Sequence, residues 1–271
     1  MSCRADMNSV PVGYTAGRNP LVKKIVRLVA FAVIELAFLQ AALAVEDAIP
    51  KHLELARELV ATVKPENNNY EVFGPGRGVR WKGDFLTSEN TVNASCVVFV
   101  TAVLDRAKSP VSSAVASNTR WQRELRVNNY FESVQKGYGF NQVGSLADAE
   151  PGDLFLFSCK DMCANSKSTD IQGHITFIDV KPTLKTPTPP LLEATQQWLV
   201  TVIDSADAPH DRNDTRWRPQ GERKATGVGR GTYRVYTDMN GIPVGYTNGP
   251  NHPKYHDAKD RPMAIGRPLP Y

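Results

Sequence analysis

The sequence predicts an α+β fold. Three observations carry that expectation. Apolar residues recur at helical spacing in the first half of the chain. β-branched and aromatic runs bounded by turn residues fill the second half. The change from one to the other falls at Pro151-Gly152-Asp153. Helices first and strands after suit a single α+β domain.

Composition bounds the function before any motif does. The chain has 271 residues, 41% hydrophobic and 22% charged, an ordinary globular balance with length enough for a sizeable core. Lys and Arg number 32 against 28 Asp and Glu, a formal charge of +4. Without a Lys/Arg block, that bias calls for no nucleic-acid partner. Four cysteines are too few for a disulfide scaffold.

The first 44 residues stand apart. Lys23, Lys24 and Arg27 precede an apolar run over 28–34 that continues past Glu35 to Leu43. Ala42-Leu43-Ala44 is a small-x-small cleavage site, followed by Glu46 and Asp47. Residues 22–44 therefore read as a signal peptide, and the protein is expected to be exported, periplasmic or extracellular. The run is short and carries Glu35, so no stable membrane span is expected. Before it, Asp6-Met7-Asn8-Ser9-Val10-Pro11-Val12-Gly13-Tyr14-Thr15 repeats Asp238-Met239-Asn240-Gly241-Ile242-Pro243-Val244-Gly245-Tyr246-Thr247. The expectation is that translation starts at Val22 and that residues 1–21 are a spurious extension. N-terminal peptide mapping checks it, and a precursor peptide spanning Thr15 to Lys23 would overturn it. The first 44 residues hold five Lys/Arg and two Asp/Glu, which leaves 27 basic against 26 acidic in residues 45–271, the expected single domain.

Within that domain, residues 51–64 place Leu55, Leu59 and Val63 on one face with Ala56 and Val60 beside them. That is an amphipathic helix, stopped by Pro65 and Asn67-Asn68-Asn69. Residues 73–84, rich in Gly and Arg, read as loop. Residues 95–107 are nearly all apolar and predict a buried helix starting at or beside Cys96, with Asn93 or Ser95 as cap. Their β-branched content leaves a strand open on periodicity alone. Residues 118–136, with Trp121, Leu125, Phe131 and Val134, read as helical.

Strands are predicted after Asp153, from His174 and from Trp198. Residues 181–195, with four prolines, are a surface connection. Residues 232–237 and 242–247 flank Asn240-Gly241, a hairpin signal. Residues 227–231 read as a glycine turn and the last 20 residues as irregular.

Three cysteines remain after the leader: Cys96, Cys159 and Cys163. An odd count in an exported chain means one free thiol or an intermolecular bridge. Cys159 and Cys163 lie in one loop, where they can pair or bind metal. No nearby His or Cys completes a four-ligand metal set, so a disulfide is expected. Cys96 is left at a helix start, where free N–H groups favour a thiolate. A nucleophilic thiolate needs a base and a group to orient that base. His174 follows Gly173, and Asp204 ends the next strand, with Ser205 and His210 as competitors for the orienting role.

In this order the pieces resemble the papain-like cell-wall hydrolases of NlpC type and CHAP type. The matching segments are Asn93-Ala94-Ser95-Cys96-Val97-Val98-Phe99-Val100, Pro151-Gly152-Asp153-Leu154-Phe155-Leu156-Phe157, Gly173-His174-Ile175-Thr176-Phe177-Ile178 and Ile203-Asp204-Ser205, covering about residues 70–205. The family usually has Asp-Cys-Ser-Gly where this chain has Ala94-Ser95-Cys96-Val97, and the loop over 158–173 is longer here. The resemblance implies a papain-like fold with the nucleophile helix on a small antiparallel sheet. It implies amide hydrolysis of peptidoglycan peptides, without cofactor or metal. Cys96 would attack, His174 would carry the proton, and Asp204 would fix the imidazole. The charged segment 210–216 is expected to line the cleft, His210, Asp214 and Arg216 binding carboxylates of the stem peptide together with Ser205. Two other readings use the same residues: a non-catalytic module that binds the wall or a partner, and a transglutaminase-like acyltransferase.

Overall fold

A computed structural model describes residues 49–270, apart from 73, 75, 85–86, 118–124, 160–172, 221 and 223–224. The leader, Trp121 and Cys163 lie outside the described residues. Ile49–Tyr271 form one unit of mixed α+β structure. Among the described residues there are four α-helices: α1 (Lys51–Thr62), α2 (Cys96–Arg106), α3 (Val111–Ser117) and α4 (Val127–Lys136). None is long and apolar enough to cross a membrane.

Three short strands, β1 (Asn68–Asn69), β2 (Gly78–Arg80) and β3 (Thr91–Asn93), make a small sheet in the order β1-β3-β2. The remaining nine are β4 (Phe140–Val143), β5 (Leu154–Ser158), β6 (Gly173–Ile178), β7 (Thr183–Lys185), β8 (Gln196–Ala206), β9 (Gly227–Thr237), β10 (Pro243–Thr247), β11 (His256–Asp257) and β12 (Met263–Pro268). They form one antiparallel sheet in the order β11-β10-β9-β8-β6-β5-β12-β4, with β7 on β8.

The sheet is buried on both faces near its centre, and β5 shows why its sequence is an unbroken apolar run. Leu154 and Leu156 pack into the core under the helices, with Val97, Phe99, Val100 and Phe177. Phe155 and Phe157 pack on the other face with Tyr233, Val235 and Tyr246. A strand with two covered faces does not alternate. α2 lies on the first face, where Phe99 meets Phe177 edge-on at 6.0 Å.

Several sequence expectations need correction. β2 lies in the segment read as loop, and its pairing with β3 is a tertiary event that Gly and Arg content does not signal. Helix α4 begins at Val127; Leu125 and Arg126 precede it without helical structure. Residues 227–231 are not a turn but the first half of an 11-residue strand. The last 20 residues are not irregular throughout: β12 inserts between β5 and β4 in the main sheet. Arg267 locks it there by a forked contact to Asp153, both oxygens at 2.9 Å. Asp153 of the Pro-Gly-Asp segment thus holds a distant strand. The hairpin at Asn240-Gly241 forms, with Gly241 at φ +82°.

Candidate functional site

Cys96 is the first residue of α2. Ser95 precedes it with extended backbone (φ −72°, ψ 171°), and its side chain accepts no cap hydrogen bond. The approach to the helix is pinned from the sheet instead, where Ser205 Oγ donates to the Ala94 carbonyl at 2.6 Å. Cys96 is 4% exposed and is a free thiol.

His174 is the second residue of β6. Gly173 before it has φ +131°, and a Cβ there would run into the Phe157 carbonyl oxygen. The Gly-His pair is therefore a close-approach requirement between β5 and β6. His174 Nε2 lies 2.6 Å from Asp204 Oδ2, and the imidazole is also hydrogen-bonded to Cys96. With Nε2 given to the carboxylate, Nδ1 is the ring nitrogen left for the thiol. Burial pulls the His174 pKa down. The charge of the Cys96 sulfur and the hydrogen bond to Asp204 outweigh it and raise it to about 10. The imidazolium form is thus the one this surrounding favours.

Asp204 is fully buried on β8, opposite Gly229 of β9. Its Oδ2 also takes His210 Nε2 at 2.9 Å. Its Oδ1 sits 2.8 Å from Arg216 Nη2, a charge contact without a well-directed hydrogen bond. Burial works against the charged carboxylate, but Arg216 and His210 hold its pKa well below the ordinary value. A carboxylate only accepts, so both imidazoles present N–H at Nε2.

Arg216, 2% exposed, is itself clamped. It forks onto Asp214 at 2.9 and 2.7 Å and donates to the Gly227 carbonyl at 3.0 Å. Asp214 also accepts from the backbone N–H of His210 at 2.9 Å and of Arg216 at 2.8 Å. The segment is tied along β9 by Thr215, which donates to the Arg230 carbonyl and accepts from the Arg230 N–H. This burial rests on Gly229 and Gly231. A Cβ on Gly229 would meet the Arg216 side chain, and one on Gly231 would meet Asp214 and His210. Gly229→Ala is expected to cost about 1–3 kcal/mol by overpacking, read from the thermal unfolding midpoint.

A cleft of about 420 Å³ opens beside these groups, lined by His174, His210, Tyr70, Phe157, Tyr233 and Tyr246 among others. Tyr70 is positioned by its N–H, which donates to Thr226 Oγ1 at 3.1 Å. Burial first, and then the charges of Cys96, Asp207 and Asp204, push the Tyr70 hydroxyl pKa up, so it stays a donor.

The structure brings Cys96, His174 and Asp204 together, and of the three residues considered for the orienting role Asp204 is the one on His174. His210 lines the cleft but acts on Asp204. Ser205, Asp214 and Arg216 occupy places other than those expected. Ser205 Oγ is committed to Ala94, and the guanidinium of Arg216 to Asp204, Asp214 and Gly227, so neither is turned to a ligand. Cys159 is in a disulfide; Cys163 lies outside the described residues. Sequence reasoning missed Tyr70, Tyr233 and Tyr246 as cleft residues: Tyr70 has no motif around it, and the hairpin pattern around Tyr233 and Tyr246 signals strands and not a site. The period-two glycines at 227, 229 and 231 were a usable signal of a strand making room for large side chains.

No family model matches the chain, and no solved structure matches it. It is similar to an uncharacterized protein, R653, of Acanthamoeba polyphaga mimivirus, 28% identical over 225 residues that span 80% of this chain and 96% of that protein.

Proposed function

We propose that this protein is an exported papain-like thiol hydrolase that cleaves amide bonds in peptides through an acyl-enzyme on Cys96. The observation that carries the reading is the continuous relay from the Cys96 thiol through His174 to the buried Asp204 carboxylate, at the edge of an open cleft. The resemblance to NlpC-type and CHAP-type hydrolases supplies the substrate class, the stem peptides of peptidoglycan.

In the proposed cycle the Cys96 sulfur attacks the amide carbonyl carbon. The oxygen becomes an oxyanion, for which the backbone N–H of Cys96 at the start of α2 is the donor. The His174 imidazolium gives its Nδ1 proton to the leaving amine as the C–N bond breaks, leaving a thioester. Water then attacks the thioester, His174 takes its proton to become imidazolium again, and the acid leaves as the C–S bond breaks and the Cys96 thiolate is restored. Asp204 keeps the Nε2 proton in place throughout and stabilises the ring's positive charge. His210 and Arg216 hold Asp204, and the carboxylate cannot turn away without breaking both.

The test is selective alkylation. Iodoacetamide at pH 6–7 is expected to label Cys96 in the wild type, located by mass spectrometry. His174→Ala is expected to slow that labelling by about tenfold or more, because the cation beside the sulfur is gone. Equal labelling rates in the two proteins would sink the relay. Incubation of peptide substrates with an amine acceptor distinguishes hydrolysis, the expected outcome, from acyl transfer.

A further inference from the structure

The cleft contains a cation that the relay does not use. Arg261, between β11 and β12, lines it together with Asn248. Its guanidinium donates to Tyr246 Oη at 2.8 Å, and no carboxylate among the described residues pairs with it. This sets it apart from Arg57, Arg216, Arg230 and Arg267, each held by an aspartate.

Its position is fixed by aromatic rings. Tyr246 is 1% exposed and stacks on Phe157 with centroids 4.3 Å apart. Phe157 in turn lies 5.7 Å from the His174 ring. The guanidinium is therefore held on a rigid shelf, two ring-to-ring steps from the imidazole of the relay. The cleft's acid, Asp207, belongs to the Tyr70 side, where its charge acts on the Tyr70 hydroxyl. An anion entering the cleft is thus drawn toward Arg261 and away from Asp207. A pocket takes its specificity from its placed polar groups, and a guanidinium with forked donors beside the buried Tyr246 and Phe157 rings suits a carboxylate.

We propose that Arg261 receives a free carboxylate of the substrate close to the scissile bond, so that the enzyme is selective for acidic peptides. The proposal rests on the hydrolase reading of the relay for its placement, and it moves the carboxylate site from Arg216 to Arg261. The carboxylate can come from the α-carboxyl of a chain end or from an acidic side chain, and the test separates them.

The measurement is binding, made on the full 271-residue chain carrying Cys96→Ala so that no peptide turns over. Three fluorescein-labelled Ala-Lys-Ala probes are titrated by anisotropy: one with a free C-terminal carboxylate, its carboxamide twin, and the carboxamide with Glu as last residue. At least one acidic probe is expected to bind about tenfold or more tighter than the neutral twin, the effect of one charge-assisted contact. Which acidic probe gains identifies the source. Arg261→Gln is expected to abolish the difference, and Arg261→Lys to restore part of it through charge without the fork. The lysine variant also guards against misfolding, with circular dichroism run on both. Equal binding of all three probes, or a carboxylate preference that survives Arg261→Gln, would overturn the proposal. The hydrolase reading is scored apart, by turnover in the protein with Cys96 intact. Selective binding with no turnover there would leave the carboxylate site standing and remove the catalytic reading.

Discussion

Cys96→Ala is expected to end turnover while leaving the fold in place. Removing the nucleophile of a relay of this kind lowers the rate by about 10⁴-fold or more, since no neighbouring group substitutes for the sulfur. The structural cost is small. Cys96 sits at the first position of α2, its backbone already shaped by Ser95 and by the Ser205 contact to Ala94. Losing one buried sulfur removes about 1 kcal/mol of apolar burial. Activity and the unfolding midpoint measured on the same preparation check both halves. A variant that keeps more than about a hundredth of wild-type activity would exclude the acyl-enzyme.

Asp204→Ala is expected to be worse for the molecule and nearly as bad for the chemistry. The rate should fall by about 10⁴-fold, as when the orienting carboxylate of a triad is lost. The fold should lose about 3–5 kcal/mol, because charged and polar partners are left buried without their acceptor. Arg216 keeps Asp214, so the loss falls on His174 and His210 first. Urea unfolding of Asp204→Ala and Asp204→Asn separates the two effects, the amide keeping the shape and losing the charge. A stability unchanged in both would mean that the network is not coupled to folding.

The pH dependence has a definite sign. Asp204 has a folded pKa below its ordinary 3.8, so its contribution is present above about pH 4 and lost as pH falls through the folded value. His174 rises from 6.5 to about 10, so its contribution is complete below 6.5 and lost as pH climbs through 10. Wild-type stability is therefore expected to decline from neutral pH toward 10, and the decline should shrink in His174→Ala.

Much of the relay was legible in the chain because each member sits on a local signal. Cys96 opens an apolar run after Asn93 and Ser95, His174 follows an isolated glycine at the head of a β-branched strand, and Asp204 closes the next one. β-branched runs and a helix start are short-range properties, and they were enough to nominate the three. Arg216 was misplaced for the opposite reason. A dense charge run reads as solvated surface or ligand contact, and only the glycines of β9 make room to bury it. β12 was missed because its pattern is weak and flanked by prolines. It becomes a strand through the Asp153–Arg267 fork and through pairing on both sides.

The sequence by itself determined the α+β class, the start of α2 at Cys96, the strands that carry His174 and Asp204, and the hairpin at Gly241. These follow from backbone preference and hydrophobic period, which act over a few residues. The tertiary structure decided which polar groups line the cleft and which are spent on one another. That choice depends on charges from β8, β9 and the 210–216 segment meeting in one buried place, where an unpaired charge is costly. It left Arg216 inside, holding Asp204, and Arg261 at the cleft with a tyrosine as its partner.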